Sequence, residues 1–267
     1  MTAPALVLLA EGSDEPSVAQ VALSLRKLMQ ELRPSLSISV AFAGQGGPTA
    51  SQVITALATR GVDEVVLVPL DITHAVTPPE SISDVVQQAR LAHPGVRTCL
   101  ARPIGPACEL LSILDMRLRE ALSLAHTREL DGLVLLAPDS GDPRGAALLA
   151  RRARQWRAHH KLPVQLAFGN QPGHGLGTAI TSLRGQGRRL IAVGSFYLAP
   201  ERQFAEQAEY AVAHGAIAVG APIGADERLL DLAMARYSVS ALELLDAVPE
   251  EACPPAATDP DEVAALA

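Results

Sequence analysis

The apolar run Leu6-Val-Leu-Leu-Ala10 and its copy Leu133-Val-Leu-Leu-Ala137, 127 positions later, constrain this chain more than any other feature. Each run is continuous rather than alternating, which is how a strand buried on both faces of a parallel sheet reads. Each leads into a turn with a serine and a proline at matching places: Glu11-Gly-Ser13-Asp14-Glu15-Pro16 in the first, Pro138-Asp-Ser140-Gly-Asp142-Pro143 in the second. Gly12 permits a sharp turn, Ser13 or Asp14 is expected to cap a helix, and Pro16 suits its first turn. Two more echoes keep the order. Val40-Ala-Phe42 returns as Leu166-Ala-Phe168 at an offset of 126, and Pro103-Ile-Gly105 as Pro222-Ile-Gly224 at an offset of 119. A slowly drifting offset implies a duplicated domain with small deletions in the second copy.

The rest of the chain alternates strands and helices. Strands are expected at about 4–10, 37–42, 65–70 and 95–101, then at 132–137, 163–168, 189–194 and 215–220. Between them, helical spacing is read over 17–33, from Thr49 to Gly61, up to Leu91, and over 107–124. In the second copy it is read over 144–160, to Leu183, over 201–213 and over 226–245. This alternation predicts an α/β fold of two similar lobes, each a four-stranded, mainly parallel sheet flanked by helices, with a cleft between them. The domains expected are 1–125 and 126–248. From Pro249 the composition turns to Glu, Pro, Ala and Asp, so 249–267 is expected to be a disordered tail.

Charge and composition exclude several classes. Lys and Arg total 22 against 29 Asp and Glu, a net charge of -7, which argues against a nucleic-acid or acidic-membrane binder. No apolar run approaches the ~18 residues of a membrane span, and no secretory leader is read at the N-terminus. Cys99, Cys108 and Cys253 have no metal-ligand spacing and suit a reducing compartment. A cytoplasmic protein, monomeric or homodimeric, is expected.

In open α/β sheets the site lies at the carboxyl ends of the strands, at the switch point between the first and third when the order is 2-1-3-4. Glu11 ends the first strand, and Asp71 and His74 lie in the loop after the third. Two carboxylates and an imidazole form a mixed N/O set that suits a divalent first-row metal or a proton shuttle. The alternative is that Glu11 and Asp71 only cap helices or face solvent. His93, His126, His159, His160 and His214 read as ordinary surface residues, while His174, in the loop 169–175, is a candidate to face the cleft. The Gly-rich loops at 44–47 and 169–175 match no phosphate-binding signature, and no serine-hydrolase elbow is present.

Taken together, Leu-Leu-Ala-x-Gly-Ser-x-x-Pro16, Val40-Ala-Phe42, Val-Pro-Leu70, Pro-Ile-Gly105 and Phe196-Tyr-Leu-Ala-Pro-Glu-Arg-Gln203 resemble the class II tetrapyrrole chelatases. The nearest branch is the sirohydrochlorin cobalto- and ferrochelatases, in their long two-domain form. The resemblance spans about residues 4–245. It implies insertion of Co2+ or Fe2+, the metal being a substrate, into an anionic tetrapyrrole of cobalamin or siroheme biosynthesis, with no organic cofactor. The family's catalytic positions are altered here. Its histidine after the first strand is Glu11, its glutamate after the second is Gly44, and its histidine after the third aligns with Thr77, three residues beyond His74. In the second copy these positions hold Pro138, Asn170 and Gln203. Two readings stay open: a divergent chelatase rebuilt on Glu11, Asp71 and His74, or a non-catalytic tetrapyrrole-binding or interaction protein. Ser13, Gln203, Arg202 and Arg102 are the candidate substrate contacts, the arginines because a polycarboxylate must be held against the overall negative charge.

Overall fold

The computed structural model describes residues 3–127, 129–169 and 175–246. Asn170, His174 and the expected tail 249–267 lie outside the described residues. The first copy forms β1 (Ala5–Ala10), α1 (Pro16–Leu32), β2 (Ile38–Phe42), α2 (Ala50–Ala58), β3 (Glu64–Pro69), α3 (Glu80–Ala92), β4 (Arg97–Leu100) and α4 (Leu110–Leu124). The second forms β5 (Gly132–Ala137), α5 (Pro143–His160), β6 (Val164–Phe168), α6 (Leu176–Gly185), β7 (Ile191–Ser195), α7 (Arg202–Ala213), β8 (Ala218–Val219) and α8 (Glu227–Asp246). Each copy makes an all-parallel, four-stranded sheet, ordered β2-β1-β3-β4 and β6-β5-β7-β8. Even the register repeats: Leu9 pairs with Ala41 and Pro69, and Leu136 with Ala167 and Ser195.

The continuous apolar strands are explained by what covers them. Leu6, Leu8 and Ala10 face a central core that they share with Leu133, Leu135 and Ala137. Val7 and Leu9 face an outer core under α2 and α3, and Val134 and Leu136 face its counterpart under α6 and α7. Both sides of each strand are therefore dry, as the period of two demands. Each fully buried leucine contributes roughly 1.5–3 kcal/mol.

The packed lobes and the sequence copies differ by one helix each. α4, the last helix of the first copy, packs on β7 and β8, while α8, the last of the second, packs on β3 and β4. Polar contacts fasten α8 there. The Tyr237 hydroxyl donates to the Pro4 carbonyl at 2.6 Å, Arg97 donates to the Leu244 carbonyl at 2.9 Å, and Arg236 to that of Ile104 at 3.1 Å. This exchange, with the shared central core, fixes one lobe against the other. The boundary expected near residue 125 is thus a boundary of the duplication, with each packed unit borrowing its final helix.

Local details depart from the sequence reading at element ends. α1 is capped at Glu15, not at Ser13 or Asp14: Ser13 Oγ instead accepts from the Glu15 N–H at 3.1 Å. β8 spans two residues because Gly220 and Pro222 follow, and α4 starts at Leu110, three residues later than expected. No helix among the described residues is long and apolar enough to cross a membrane.

Candidate functional site

The carboxyl ends of β1, β3, β5 and β7 open on one interlobe cleft of about 460 Å³. The turn after β1 brings Glu11 and Ser13, the loop after β3 brings Asp71 and His74, and α3 brings Glu80. From the second lobe come Asp139, Glu201, Tyr197 and Gln203. The duplication thus builds the cleft from equivalent turns, although the two sides carry different chemistry.

Asp71 and His74 form a dyad. Asp71 Oδ2 lies 2.6 Å from His74 Nδ1. Its Oδ1 accepts from the Thr73 N–H at 2.8 Å, the Thr73 hydroxyl at 2.9 Å and the His74 N–H at 3.2 Å. Burial opposes charge on this carboxyl, but the hydrogen bonds from His74 and Thr73 outweigh it and hold Asp71 below the usual carboxylate range. The same hydrogen bond, donated to Asp71, raises His74 above its ordinary value, with the charges of Asp142 and Glu11 adding to it. A carboxylate on Nδ1 fixes the ring and its tautomer, and leaves Nε2 as the atom able to take a proton or a metal.

The loop carrying this dyad is held by both lobes. Gly105, at φ +73°, donates its N–H to the Asp71 carbonyl at 2.9 Å, and a Cβ there would stand 3.1 Å from the His74 carbonyl. Its echo Gly224 has φ +69° and bonds the Leu198 carbonyl, so the Pro-Ile-Gly repeat marks two equivalent left-handed turns. From the second lobe, Gly145 of α5 approaches so closely that a Cβ would lie 2.1 Å from the Thr73 carbonyl. Asp142, the α5 cap, accepts from the Arg144 N–H at 2.9 Å and, with its other oxygen, from the Ala75 N–H at 2.8 Å.

Of the residues expected at the site, Glu11, Ser13, Asp71, His74 and Gln203 line the cleft. Glu11 is exposed and accepts from the Ser81 hydroxyl at 3.4 Å, near the N-terminus of α3. The expected three-donor cluster does not close, because the Asp71 oxygens are turned into their own loop and onto His74. Among the described residues, the trio of His, Cys, Asp or Glu whose donor atoms all fall within 4.8 Å of one another is Asp115, His159 and His160. Arg202 and Arg102 are exposed and are not part of the cleft lining; Arg202 contributes its backbone N–H to Glu15 Oε2 at 2.6 Å. No Lys or Arg appears in that lining, whereas Glu11, Asp71, Glu80, Asp139 and Glu201 do. Burial, followed by the charges of Glu15 and Glu11, pushes the Glu201 carboxyl up.

Sequence reasoning missed Glu201, Asp139, Asp142 and Glu15. The signal was available for two of them. Glu15 and Asp142 occupy the same place before the helix proline in the two copies, and each reaches across to the other lobe.

Comparison with known proteins follows the same lines. Residues 5–121 match the CbiX family model. No curated protein matches the chain. Among solved structures, SirB from Bacillus subtilis with Fe3+ superposes with a TM-score of 0.71 at 17% identity, over 89% of this chain and 96% of that one. The sirohydrochlorin chelatase SirB from Bacillus subtilis subspecies spizizenii, in complex with cobalt, gives 0.71 at 16% identity over 90% and 96%. CbiX, the terminal enzyme for biosynthesis of siroheme in denitrifying bacteria, gives 0.57 at 16% identity over 88% and 99%. At these identities the structural likeness is one of fold.

Proposed function

We propose that this protein, whose residues 5–121 match the CbiX family model and whose fold is that of the two-lobe chelatases, is a sirohydrochlorin-type chelatase with a cleft rebuilt around a single histidine. The observation that carries this reading is the 2.6 Å contact of His74 Nδ1 with Asp71 Oδ2 inside the interlobe cleft. Chelation requires a divalent metal held with open coordination positions beside the macrocycle, and a base for two pyrrole protons. The reading assigns the metal, Co2+ or Fe2+ as substrate, to His74 Nε2 with Glu11, and makes Asp71 the residue that orients His74. Glu201, a carboxyl pushed up by burial, is the proton acceptor on the opposite wall. Ser13 and Gln203 are left to contact the macrocycle.

A second reading rests on the acid-only charge of the lining. Such a field draws in a cation and repels a polycarboxylate, which favours a metal-binding relative that does not turn over the free macrocycle. One experiment separates the two. Purified protein is mixed with sirohydrochlorin and Co2+ or Fe2+, and insertion is followed by absorbance against buffer and heat-inactivated controls. A rate above both controls that His74→Ala abolishes supports the chelatase. Metal binding with no rate above buffer supports the second reading.

A further inference from the structure

The end of α5 away from the cleft carries a second constellation, one that depends on none of the cleft chemistry. α5 starts beside Asp142 and runs 18 residues to His160, so its last turn lies roughly 25 Å from its first. There His160 Nε2 stands 2.7 Å from Asp115 Oδ1, and His159 Nε2 stands 3.8 Å from Asp115 Oδ2. Asp115 comes from α4 and is 9% exposed. The Trp156 indole N–H donates to its Oδ1 at 2.6 Å. The Trp156 ring is seated on Gly194 of β7, where a Cβ would come within 2.5 Å of it. The carboxylate is therefore aimed by a side chain that the core itself holds in place.

We infer that Asp115, His159 and His160 form a second divalent-metal site on the seam between α4 and α5. Two imidazoles and a carboxylate, with a fourth position open to water, are a donor set for Zn2+, Co2+ or Ni2+. Bonds of about 2.0–2.2 Å in tetrahedral geometry place donors roughly 3.3 Å apart. The observed 2.7 and 3.8 Å separations bracket that spacing. On binding, the ion replaces the direct contact between Asp115 and His160. His159, whose side chain is 67% exposed, needs only to rotate. The helix C-terminus favours a cation, whereas Arg157 in the last turn and Lys161 at the cap oppose one. Direct coordination, rather than the surrounding field, therefore decides occupancy. A bound ion ties the last helix of the first copy to the first helix of the second.

Trp156 is the chain's only tryptophan and bonds a proposed ligand directly, so it reports on this site. The test is a cobalt titration of the full chain followed by tryptophan emission. Saturable quenching is expected in the parent and equally in His74→Ala. The midpoint should rise roughly tenfold or more in His159→Ala, an exposed position where the fold is not at stake. His160→Gln, which keeps a hydrogen-bonding partner for Asp115, should raise it as well. Zinc should raise the thermal midpoint of His74→Ala but not that of the triple variant His74→Ala/His159→Ala/His160→Gln. Absence of saturable quenching in the parent, or a midpoint unmoved by His159→Ala, overturns the inference.

Discussion

Asp142 Oδ2 accepts the Ala75 N–H at 2.8 Å, so a carboxylate from the second lobe fastens the loop that carries His74 in the first. The duplication supplies the reverse contact. Glu15, at the place equivalent to Asp142, accepts the Arg202 N–H at 2.6 Å and so serves the first turn of α7. The two cap residues before the helix prolines thus latch the cleft from both sides. Glu15 spends its side chain across the cleft, which is why α1 has no side-chain cap of its own.

The Asp142 latch predicts a specific acid sensitivity. Its hydrogen bond from the Ala75 N–H, against the cost of burial, holds the carboxyl below its ordinary value. A depressed folded value means the stabilisation is present above the unfolded value near ~3.9 and is lost as pH falls through the folded one. Asp142→Ala should cost about 0.5–2 kcal/mol at neutral pH, the usual range for a helix cap. Urea unfolding at pH 7 and below pH 4 should show that difference shrinking in acid. A difference independent of pH would remove the charge from the explanation.

Gly145→Ala tests the close approach of α5 to the histidine loop. The added methyl would meet the Thr73 carbonyl at 2.1 Å, and backbone on both sides limits the relief available. A cost of about 1–3 kcal/mol is expected, as for other overpacked sites. Because the loop must move away, cobalt affinity in the cleft should fall with it. Unchanged stability and affinity together would show that the contact is slack.

Much of this was legible in the residues, and the missing parts share a cause. The unbroken apolar runs, the serine and proline after them and the two Pro-Ile-Gly turns gave the duplication, the strand order and the cleft, because those signals are local and repeat. Glu11 and His74 could be placed because each follows a strand end, whereas Gln203 comes from the first turn of α7. The exchange of α4 and α8 could not be read, since a helix periodicity shows that one face is buried but not against which sheet. Asp71 was expected to hold metal, yet its neighbours Thr73 and His74 occupy both of its oxygens, a loop geometry that spacing alone does not reveal. Asp115 lies more than forty positions from the adjacent His159 and His160, and it meets them only through the α4 exchange.

The acid-lined cleft predicts how an anionic macrocycle should respond to charge changes. Arg202 is exposed and absent from the lining, so Arg202→Ala should leave sirohydrochlorin binding nearly unchanged. Glu201→Gln should strengthen it, because it removes a half-buried carboxyl that already repels Glu15 and Glu11. The same variant should be more stable than the parent at neutral pH. A raised folded value means that charging Glu201 costs stability as pH rises past the unfolded value near ~4.3. Absorbance titration at two salt concentrations is the measurement. Weakened binding in Arg202→Ala would restore the arginine to the site.

The last prediction concerns protons and metal at His74. Its hydrogen bond to Asp71 raises its folded value above 6.5. By linkage, that ion pair stabilises the fold below ~6.5, and the contribution is lost as pH rises through the folded value. Metal binding runs the other way, since an ion needs the neutral ring. Cobalt affinity in the cleft should therefore rise with pH, with its half-point above 6.5 rather than at it. Measuring in a His159→Ala background keeps the proposed second site out of the signal. Asp71→Asn should lower the half-point and weaken binding roughly 10–100-fold, the usual effect of removing the group that orients a metal-binding histidine. Glu11→Gln should weaken binding without moving the half-point by as much, because Glu11 acts on His74 through its charge and not through a hydrogen bond. His74→Ala should abolish the pH dependence in this range. If His74→Ala binds cobalt with the parent's affinity and the parent's pH profile, the metal lies elsewhere in the cleft and the dyad has only a structural role.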